Sequence, residues 1–205
     1  STSRRTKRPC AACVALSTPI TGGNVSLSNE DGQTAIRPTP AIGMLGVLDD
    51  VAKAVPMGFA GEGDVVVLLG STADEIGGSE YMATVHGTEA GAIPAIDLEA
   101  ERKLVDLLVA AAEAGLVRSA HDLSDGGLAV ALAECCMAGR MGATVTLANP
   151  SGIVADHLLF SETGARAVVS VREADAAKLL ELAGGMGVDA AMAGRVGGEG
   201  LKIAV

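Results

Sequence analysis

The sequence predicts an α+β fold in which helices are layered on a sheet. Short apolar runs rich in β-branched residues, typical of strands, are mixed with longer segments that have the periodicity of helices. These segments do not follow one another in strict alternation, which favours α+β over a regular βαβ array. The 49% hydrophobic content, with only 20% charged residues, excludes a disordered chain and allows a substantial core in 205 residues.

The first part of the chain is predicted to contain a short helix, a turn and a strand. Residues 11–16 are apolar and precede Ser17-Thr18-Pro19, as at the end of a helix that leads into a strand. Residues 29–32, Asn-Glu-Asp-Gly, have turn composition, and the apolar residues 41–48 are predicted to form a buried strand. A mixed connector with Pro56 follows, and we place the domain boundary there, between residues 1–50 and 51–205.

The second part is predicted to supply most of the sheet and its helices. Apolar runs predict strands at 64–70, 143–147, 167–171 and 201–205. Asp97 can cap a helix that ends at Gly115, and its predicted buried stripe is Leu98, Val105, Leu108 and Ala112. Further helices are predicted from Ser124 to Gly139 and from Glu173 to about Leu182.

Charge and composition restrict the classes of partner. A formal net charge of −10 and only three aromatic side chains, Phe59, Tyr81 and Phe160, argue against nucleic acid as a partner. The basic cluster at residues 4–8 is predicted to be a solvated tail rather than a binding arm. No apolar run approaches the roughly 18 residues of a membrane span, and no hydrophobic signal segment is visible.

The four cysteines are predicted to be reduced. Cys10 and Cys13 form a lone Cys-x-x-Cys pair without the second pair or histidines of a zinc site. Cys135 and Cys136 are neighbours on a predicted helix, where adjacent side chains point apart. A cytoplasmic location is therefore expected.

The stretch His121-Asp122-Leu123-Ser124-Asp125-Gly126-Gly127, just ahead of an apolar helix, has the strongest chemical signal. One interpretation is structural: Ser124 or Asp125 caps the helix, which contributes about 1 kcal/mol. The other is a ligand site, because carboxylates and the free amides of a helix start can together hold a phosphate bridged by Mg²⁺.

Two other glycine-rich stretches carry polar side chains. In Gly22-Gly23-Asn24-Val25-Ser26 the glycines allow close approach of a ligand, and Asn24 and Ser26 share one face if the segment is extended. The alternative is a turn stabilised by the Asn24 side chain. For Ser79-Glu80-Tyr81, a strand or turn with only a packing role and a functional role are equally compatible with the sequence. His86 and His157 are expected to be surface or packing residues.

Four blocks, in order and spacing, resemble phosphoribosylformylglycinamidine synthase, the amidine-forming ligase of purine biosynthesis. They are Thr-Pro-Ile-Thr-Gly-Gly-Asn-Val-Ser-Leu at 18–27, Ile-Gly-Gly-Ser-Glu-Tyr at 76–81, Ser-Ala-His-Asp-Leu-Ser-Asp-Gly-Gly-Leu-Ala at 119–129, and Leu-Phe-Ser-Glu-Thr-Gly-Ala-Arg at 159–166. The Gly-Asn-Val-Ser part is similar to the small, separate-subunit form. The resemblance runs from about Cys13 to the C-terminus but covers only the last part of the family's synthetase.

The resemblance implies an architecture for each part. Residues 51–205 would form a three-layer α/β/α domain like the C-terminal domain of aminoimidazole ribonucleotide synthetase. Residues 1–50 would be the C-terminal remnant of the N-terminal-type domain, the tail of a ferredoxin-like, β-barrel-forming domain. Two features depart from the family: the basic N-terminus, and Ser28, where the family usually has Tyr.

The resemblance also implies ligands for particular residues. Gly23 would contact ATP, Asn24 would bind Mg²⁺, and Ser26 would contact formylglycinamide ribonucleotide (FGAR). In the family's fused large form, the block at 119–129 holds an auxiliary nucleotide, which would place metal on Asp122 and nucleotide on Ser124. No catalytic residue is carried over, because the family's catalytic His and main Mg²⁺ residues belong to its first half, and the chain alone is expected to be inactive.

The implied reaction is the conversion of FGAR, ATP and glutamine-derived ammonia to formylglycinamidine ribonucleotide, ADP and phosphate. The implied partners are the glutaminase subunit, the small accessory subunit and the N-terminal half of the synthetase, with no nucleic acid and no membrane. The alternatives are a truncated, non-catalytic nucleotide-binding or interaction module, or another ATP-using enzyme of the superfamily, namely aminoimidazole ribonucleotide synthetase or selenophosphate synthetase. The Gly-Asn-Val-Ser block argues against both of these enzymes.

Overall fold

The structure is a computed structural model that describes residues 10–26, 29–36, 39–149 and 152–205. The chain divides into two compact units, an N-terminal unit, Ser1–Val51, and a C-terminal unit, Ala52–Val205. The basic cluster at 4–8 and the departure from the family at Ser28 lie outside the described residues.

The N-terminal unit has little regular structure in its described part. Residues 10–15 are helical (α1), and β1, Glu30–Asp31, pairs antiparallel with β2, Thr34–Ala35. The predicted turn is confirmed: Gly32 closes this hairpin with a φ of 63°, which glycine adopts without steric cost. The predicted buried strand at 41–48 is wrong, because these residues join no ladder and Leu45 is 92% exposed.

The C-terminal unit is built on one six-stranded sheet. Its strands are β3 Val65–Leu69, β4 Val117–Asp122, β5 Ala143–Thr146, β6 Ala167–Val171, β7 Ala190–Val196 and β8 Leu201–Ala204. Their order is β4-β6-β3-β7-β5-β8. Neighbours are antiparallel except β5 and β8, which are parallel.

Helices cover both faces of this sheet. They are α2 Glu80–His86, α3 Leu98–Glu113, α4 Gly127–Gly139, α5 Ala155–Phe160 and α6 Glu173–Met186. A short 3₁₀ turn, Val51–Lys53, begins at the last residue of the N-terminal unit. The core cluster on one face packs α4 and α5 against the sheet, and the cluster on the other face packs α3 and α6. Val66 of β3 belongs to the first cluster and its neighbours Val65 and Val67 to the second, as the alternation of a strand requires. The predicted three-layer α/β/α architecture is confirmed.

The N-cap of α3 is confirmed, but its buried stripe is shifted. The Asp97 carboxylate accepts the backbone N–H groups of Glu99 and Ala100, each at 3.0 Å. The buried residues are Leu104, Leu107 and Ala111, whereas Val105 is 49% exposed. A displacement of one residue rotates a side chain by about 100° around a helix, so the predicted stripe of Leu98, Val105, Leu108 and Ala112 lies beside the true contact face.

All four cysteines are free thiols, as predicted. Cys135 is 1% exposed in the contact between α4 and the sheet, and burial raises the pKa of its thiol to about 12. Burial also raises the pKa of Cys136.

No helix among the described residues is long and apolar enough to span a bilayer.

These thiols should differ in reactivity. In the folded chain at pH 8, we expect Cys135 to react with a disulfide reagent at least about a hundredfold more slowly than the exposed Cys10, because only the thiolate attacks. Mass-spectrometric labelling of single thiols measures the ratio, and labelling in urea is the control, since all four thiols should then react at similar rates. Equal labelling of Cys10 and Cys135 in the folded chain would contradict the prediction.

Candidate functional site

The topology of the sheet brings together three of the glycine-rich or polar blocks. Strand β6 lies between β3 and β4 and is antiparallel to both. The residues that precede β6, 161–166, therefore lie beside those that follow β3 and those that follow β4. The blocks at 76–81, 119–129 and 159–166 consequently meet at one edge of the sheet.

Glu162 makes the contact that joins all three blocks. Its Oε1 atom accepts the backbone N–H of Glu80, at 2.8 Å, and the backbone N–H of Gly126, at 2.9 Å. Glu80 is the first residue of α2, and Gly126 directly precedes α4. One carboxylate thus satisfies amides at the beginnings of two helices, where donors lack partners within the helix.

The loop at 161–166 is held rigidly by buried polar side chains. The Ser161 hydroxyl, fully buried, donates to the carbonyl oxygen of Ala73 at 2.9 Å. The guanidinium of Arg166, 3% exposed, donates to the carbonyls of Ser161 and Thr163 at 2.6 and 2.8 Å. Burial lowers the pKa of Arg166 to about 10, which leaves it charged at neutral pH. These contacts give Arg166 a structural role.

Gly126 and Gly127 are required by packing. Both have positive φ angles, 78° and 66°. A Cβ atom on Gly127 would lie 2.4 Å from the carbonyl oxygen of Ser161, and one on Gly126 would lie 2.4 Å from a methyl carbon of Val130. Gly127 therefore lets α4 begin against the loop at 161–166, and Gly126 leaves room for the Val130 side chain of α4 itself.

The predicted capping of α4 is wrong. Gly126 is the N-cap residue, and no side chain caps the helix, so neither Ser124 nor Asp125 has this role. The left-handed glycine closes a turn in which the Gly127 N–H bonds to the Ser124 carbonyl at 3.0 Å. The Gly126 amide is satisfied instead by the remote carboxylate of Glu162.

Asp122, the last residue of β4, and Ser124, in the turn that follows, are both exposed. The side chain of Asp122 is 75% exposed, and its Oδ1 atom lies 3.2 Å from Nδ1 of His121. The other ring nitrogen of His121 lies 3.1 Å from Oε2 of Glu134, so the ring is fixed between two carboxylates. In the part of the chain that the structure describes, no three His, Cys, Asp or Glu side chains converge on a metal-sized site. Asp122 can therefore offer a single carboxylate to an ion that takes its other ligands from phosphate and water.

Gly23, Asn24 and Ser26 lie in the N-terminal unit. They belong to residues 18–26, which form neither helix nor strand, and all three are exposed. The backbone of Gly23 and the side chains of Asn24 and Ser26 are therefore accessible to a ligand.

The remaining polar candidates make packing contacts. Ser79 caps α2 by accepting the Met82 N–H at 3.3 Å, so the block at 79–81 begins a helix instead of forming the predicted strand or turn. Tyr81 stacks on Phe160 with ring centroids 4.6 Å apart, and its hydrogen bond to Asp156 raises the pKa of the phenol. His86 packs edge-on against Tyr81, and His157 bonds to Asp74, as expected for packing residues.

A cleft of about 380 Å³ lies on another side of the loop at 161–166. Its lining includes Ser71, Asp97, Lys103 and Thr163, but not Asp122 or Ser124.

The residue that sequence reasoning missed is Glu162, which was recognised only as part of a block. Its two amide donors are far apart in sequence, so no local pattern indicates its role.

The C-terminal unit matches a known family. Residues 61–205 match the family described as AIR synthase related protein, C-terminal domain. Over 94% of its length, the chain is 52% identical to the phosphoribosylformylglycinamidine synthase subunit PurL of Thermobifida fusca, and it covers 25% of that protein. The chain thus spans about a quarter of the length of the curated relatives it matches.

Solved structures of similar proteins are also known. T. maritima PurL complexed with FGAR is 27% identical, with a TM-score of 0.64, over 72% of this chain and 26% of that one. T. maritima PurL complexed with ATP is 25% identical, with a TM-score of 0.57, over 73% of this chain and 24% of that one. These similarities agree with the resemblance found in the sequence blocks.

Proposed function

Because the chain belongs to the AIR synthase related family, through the C-terminal domain at residues 61–205, we propose that it forms the C-terminal part of a phosphoribosylformylglycinamidine synthase. This ATP-dependent carbon–nitrogen ligase converts FGAR, ATP and glutamine-derived ammonia to formylglycinamidine ribonucleotide, ADP and phosphate. The observation that carries the proposal is the 52% identity to a PurL subunit, which extends over 94% of the chain. Residues 1–50 then belong to the N-terminal-type domain and 51–205 to the C-terminal domain.

The exposed segment at 18–26 supplies the ligand contacts in this proposal. Gly23 lets ATP approach the backbone, Asn24 is a ligand of Mg²⁺, and Ser26 donates a hydrogen bond to FGAR. An amide oxygen suits Mg²⁺ beside a triphosphate because it adds a ligand without adding negative charge. When bound, Mg²⁺ supplies charge neutralisation and positioning for transfer of phosphate to the amide oxygen of FGAR.

The proposal also specifies partners. The N-terminal half of the synthetase supplies the family's catalytic His and main Mg²⁺ residues, the glutaminase subunit supplies ammonia, and a small accessory subunit completes the complex. We place this activity in the cytoplasm, in keeping with the four free thiols.

A fused enzyme tests the proposal. The quarter of the Thermobifida fusca subunit that this chain matches is replaced by this chain, and ammonia-dependent conversion of FGAR is measured with ATP and Mg²⁺. We expect turnover by the fused enzyme and none by the 205-residue chain alone. A folded but inactive fusion, beside an active unmodified subunit, would favour a non-catalytic module instead.

A nucleotide site at Asp122 and Ser124 gives a separate prediction for the 205-residue chain. Two carboxylates, Asp122 and Asp125, repel a bare phosphate, so a nucleotide bound here needs a bridging cation. Mg·ADP should therefore raise the melting temperature, since a ligand at a hundredfold excess over its Kd stabilises the folded state by about 2.7 kcal/mol. EDTA should abolish the shift, and Asp122→Asn should reduce it.

Asp106→Asn on α3 is the matched control, because it also removes an exposed carboxylate and should leave the shift intact. A melting temperature that does not respond to Mg·ADP would contradict the auxiliary site. So would a shift that persists in EDTA.

A further inference from the structure

Glu162 links the first turn of α2 to the turn ahead of α4, and the second of these carries the proposed ligand residue Ser124. Its Oε1 atom accepts the N–H of Glu80 at the first turn of α2 and the N–H of Gly126 in the turn ahead of α4. That turn carries Ser124, and Asp122 lies just before it as the last residue of β4. A side-chain oxygen that reaches both amides suits this position, because N–H groups at a helix start lack acceptors within the helix.

The backbone of Glu162 is fixed independently of these bonds. Ser161 before it is fully buried and bonded to the carbonyl of Ala73, and Arg166 after it is bonded to two loop carbonyls. The Glu162 side chain therefore extends from a backbone segment that its neighbours hold in place. Two backbone bonds also hold the turn at 123–126, from the Leu123 N–H to the Arg166 carbonyl at 3.1 Å and from the Gly127 N–H to the Ser124 carbonyl at 3.0 Å. Glu162 is the side-chain acceptor for the Gly126 N–H of this turn.

We propose that Glu162 is a positioning residue that locks the first turn of α2 and the turn at 123–126 into one unit. It thereby fixes the backbone that carries Ser124, next to Asp122 at the end of β4. The effect on turnover rests on the proposed function, whereas the effect on the two amides does not.

Two substitutions at position 162 distinguish the effect of side-chain length from the effect of the negative charge. Glu162→Gln keeps an oxygen at the same distance and removes the charge, while Glu162→Asp keeps the charge and withdraws the oxygen by one methylene. If Glu162 positions the two amides, its side chain must be long enough to reach them. If it acts directly on a metal or nucleotide, its negative charge is required. The matched control is Glu101→Asp, because Glu101 bonds to the N–H of Ala165 in the same loop, at 2.8 Å, without touching the turn.

Amide hydrogen exchange of the 205-residue chain, followed residue by residue by NMR, measures how strongly the Glu80 and Gly126 amides are protected. In Glu162→Asp, the amides of Glu80 and Gly126 should exchange about tenfold faster or more, as expected when a hydrogen bond is lost. In Glu162→Gln and in Glu101→Asp, both amides should keep exchange rates within about threefold of the original. Unchanged protection of both amides in Glu162→Asp would overturn the proposal.

The fused enzyme supplies the second readout. Glu162→Asp should lower kcat/KM on the order of 10- to 100-fold, as loss of a supporting contact to a ligand residue typically does, and Glu162→Gln should restore most of it. If Glu162→Gln is as poor as Glu162→Asp while its amides stay protected, the charge acts on the ligand and the positioning role is wrong. If the unsubstituted fusion is inactive, the proposed function fails, and the exchange rates still decide whether Glu162 locks the turn.

Discussion

Replacing Gly127 with alanine is expected to lower the free energy of unfolding of the chain by about 2–5 kcal/mol. The new Cβ would lie 2.4 Å from the carbonyl oxygen of Ser161 and 2.9 Å from the carbonyl carbon of Phe160. Both are backbone atoms of a loop that buried side chains hold in place, so they cannot move aside easily. The φ of 66° adds strain for any residue with a Cβ. The loss is a large part of the roughly 5–15 kcal/mol by which domains are stable.

The same substitution elsewhere in the chain should have the opposite sign. A Cβ on Gly184, in the last turns of α6, meets nothing within 4 Å. Gly184→Ala should therefore stabilise the chain by about 0.5–1 kcal/mol, because alanine loses less backbone freedom in a helix. Urea unfolding of both variants measures the difference. If Gly127→Ala unfolds at the same urea concentration as Gly184→Ala, the close packing of α4 on the loop is not as described.

Strands that contain a continuous apolar run could be predicted from the sequence. Strands that contain polar or small residues could not, because contacts with neighbouring strands explain those residues. β3, β5, β6 and β8 were predicted from apolar runs. β4 was missed because it contains Arg118, Ser119 and His121. Ser119 is nevertheless buried, since its hydroxyl shares a 2.6 Å hydrogen bond with the hydroxyl of Ser170 on β6. A sequence cannot show that such a partner exists.

β7 and the segment at 41–48 illustrate opposite errors. β7 consists largely of alanine and glycine, and its Gly194 is required because a Cβ there would lie 2.0 Å from the carbonyl oxygen of Thr144 on β5. Close approach of backbones, not side-chain character, makes it a strand. Residues 41–48 have the apolar character but no pairing partner among the described residues. Hydrophobic composition therefore indicates burial in a sheet only where a neighbouring strand supplies hydrogen bonds.

The candidate site shows the same limit. Sequence blocks identified the residues at 76–81, 119–129 and 159–166 without indicating that they meet. Their convergence depends on β6 lying between β3 and β4, and strand order is not encoded in any one block. The assignment of Ser124 or Asp125 as a cap failed for a related reason, because the acceptor for the Gly126 amide is Glu162.

Replacing Asn24 with alanine in the fused enzyme is expected to reduce turnover on the order of 10- to 100-fold, as loss of a metal-site partner typically does. Asn24 is exposed in an irregular segment, so the variant should fold normally. Asn29→Ala, which removes an exposed amide side chain from the same unit, is the matched control and should retain full turnover. Because the lost interaction is with Mg²⁺, the defect should be largest at limiting Mg²⁺ and should shrink as the Mg²⁺ concentration rises. Near-normal turnover of Asn24→Ala at limiting Mg²⁺ would show that Asn24 is a turn residue without a metal.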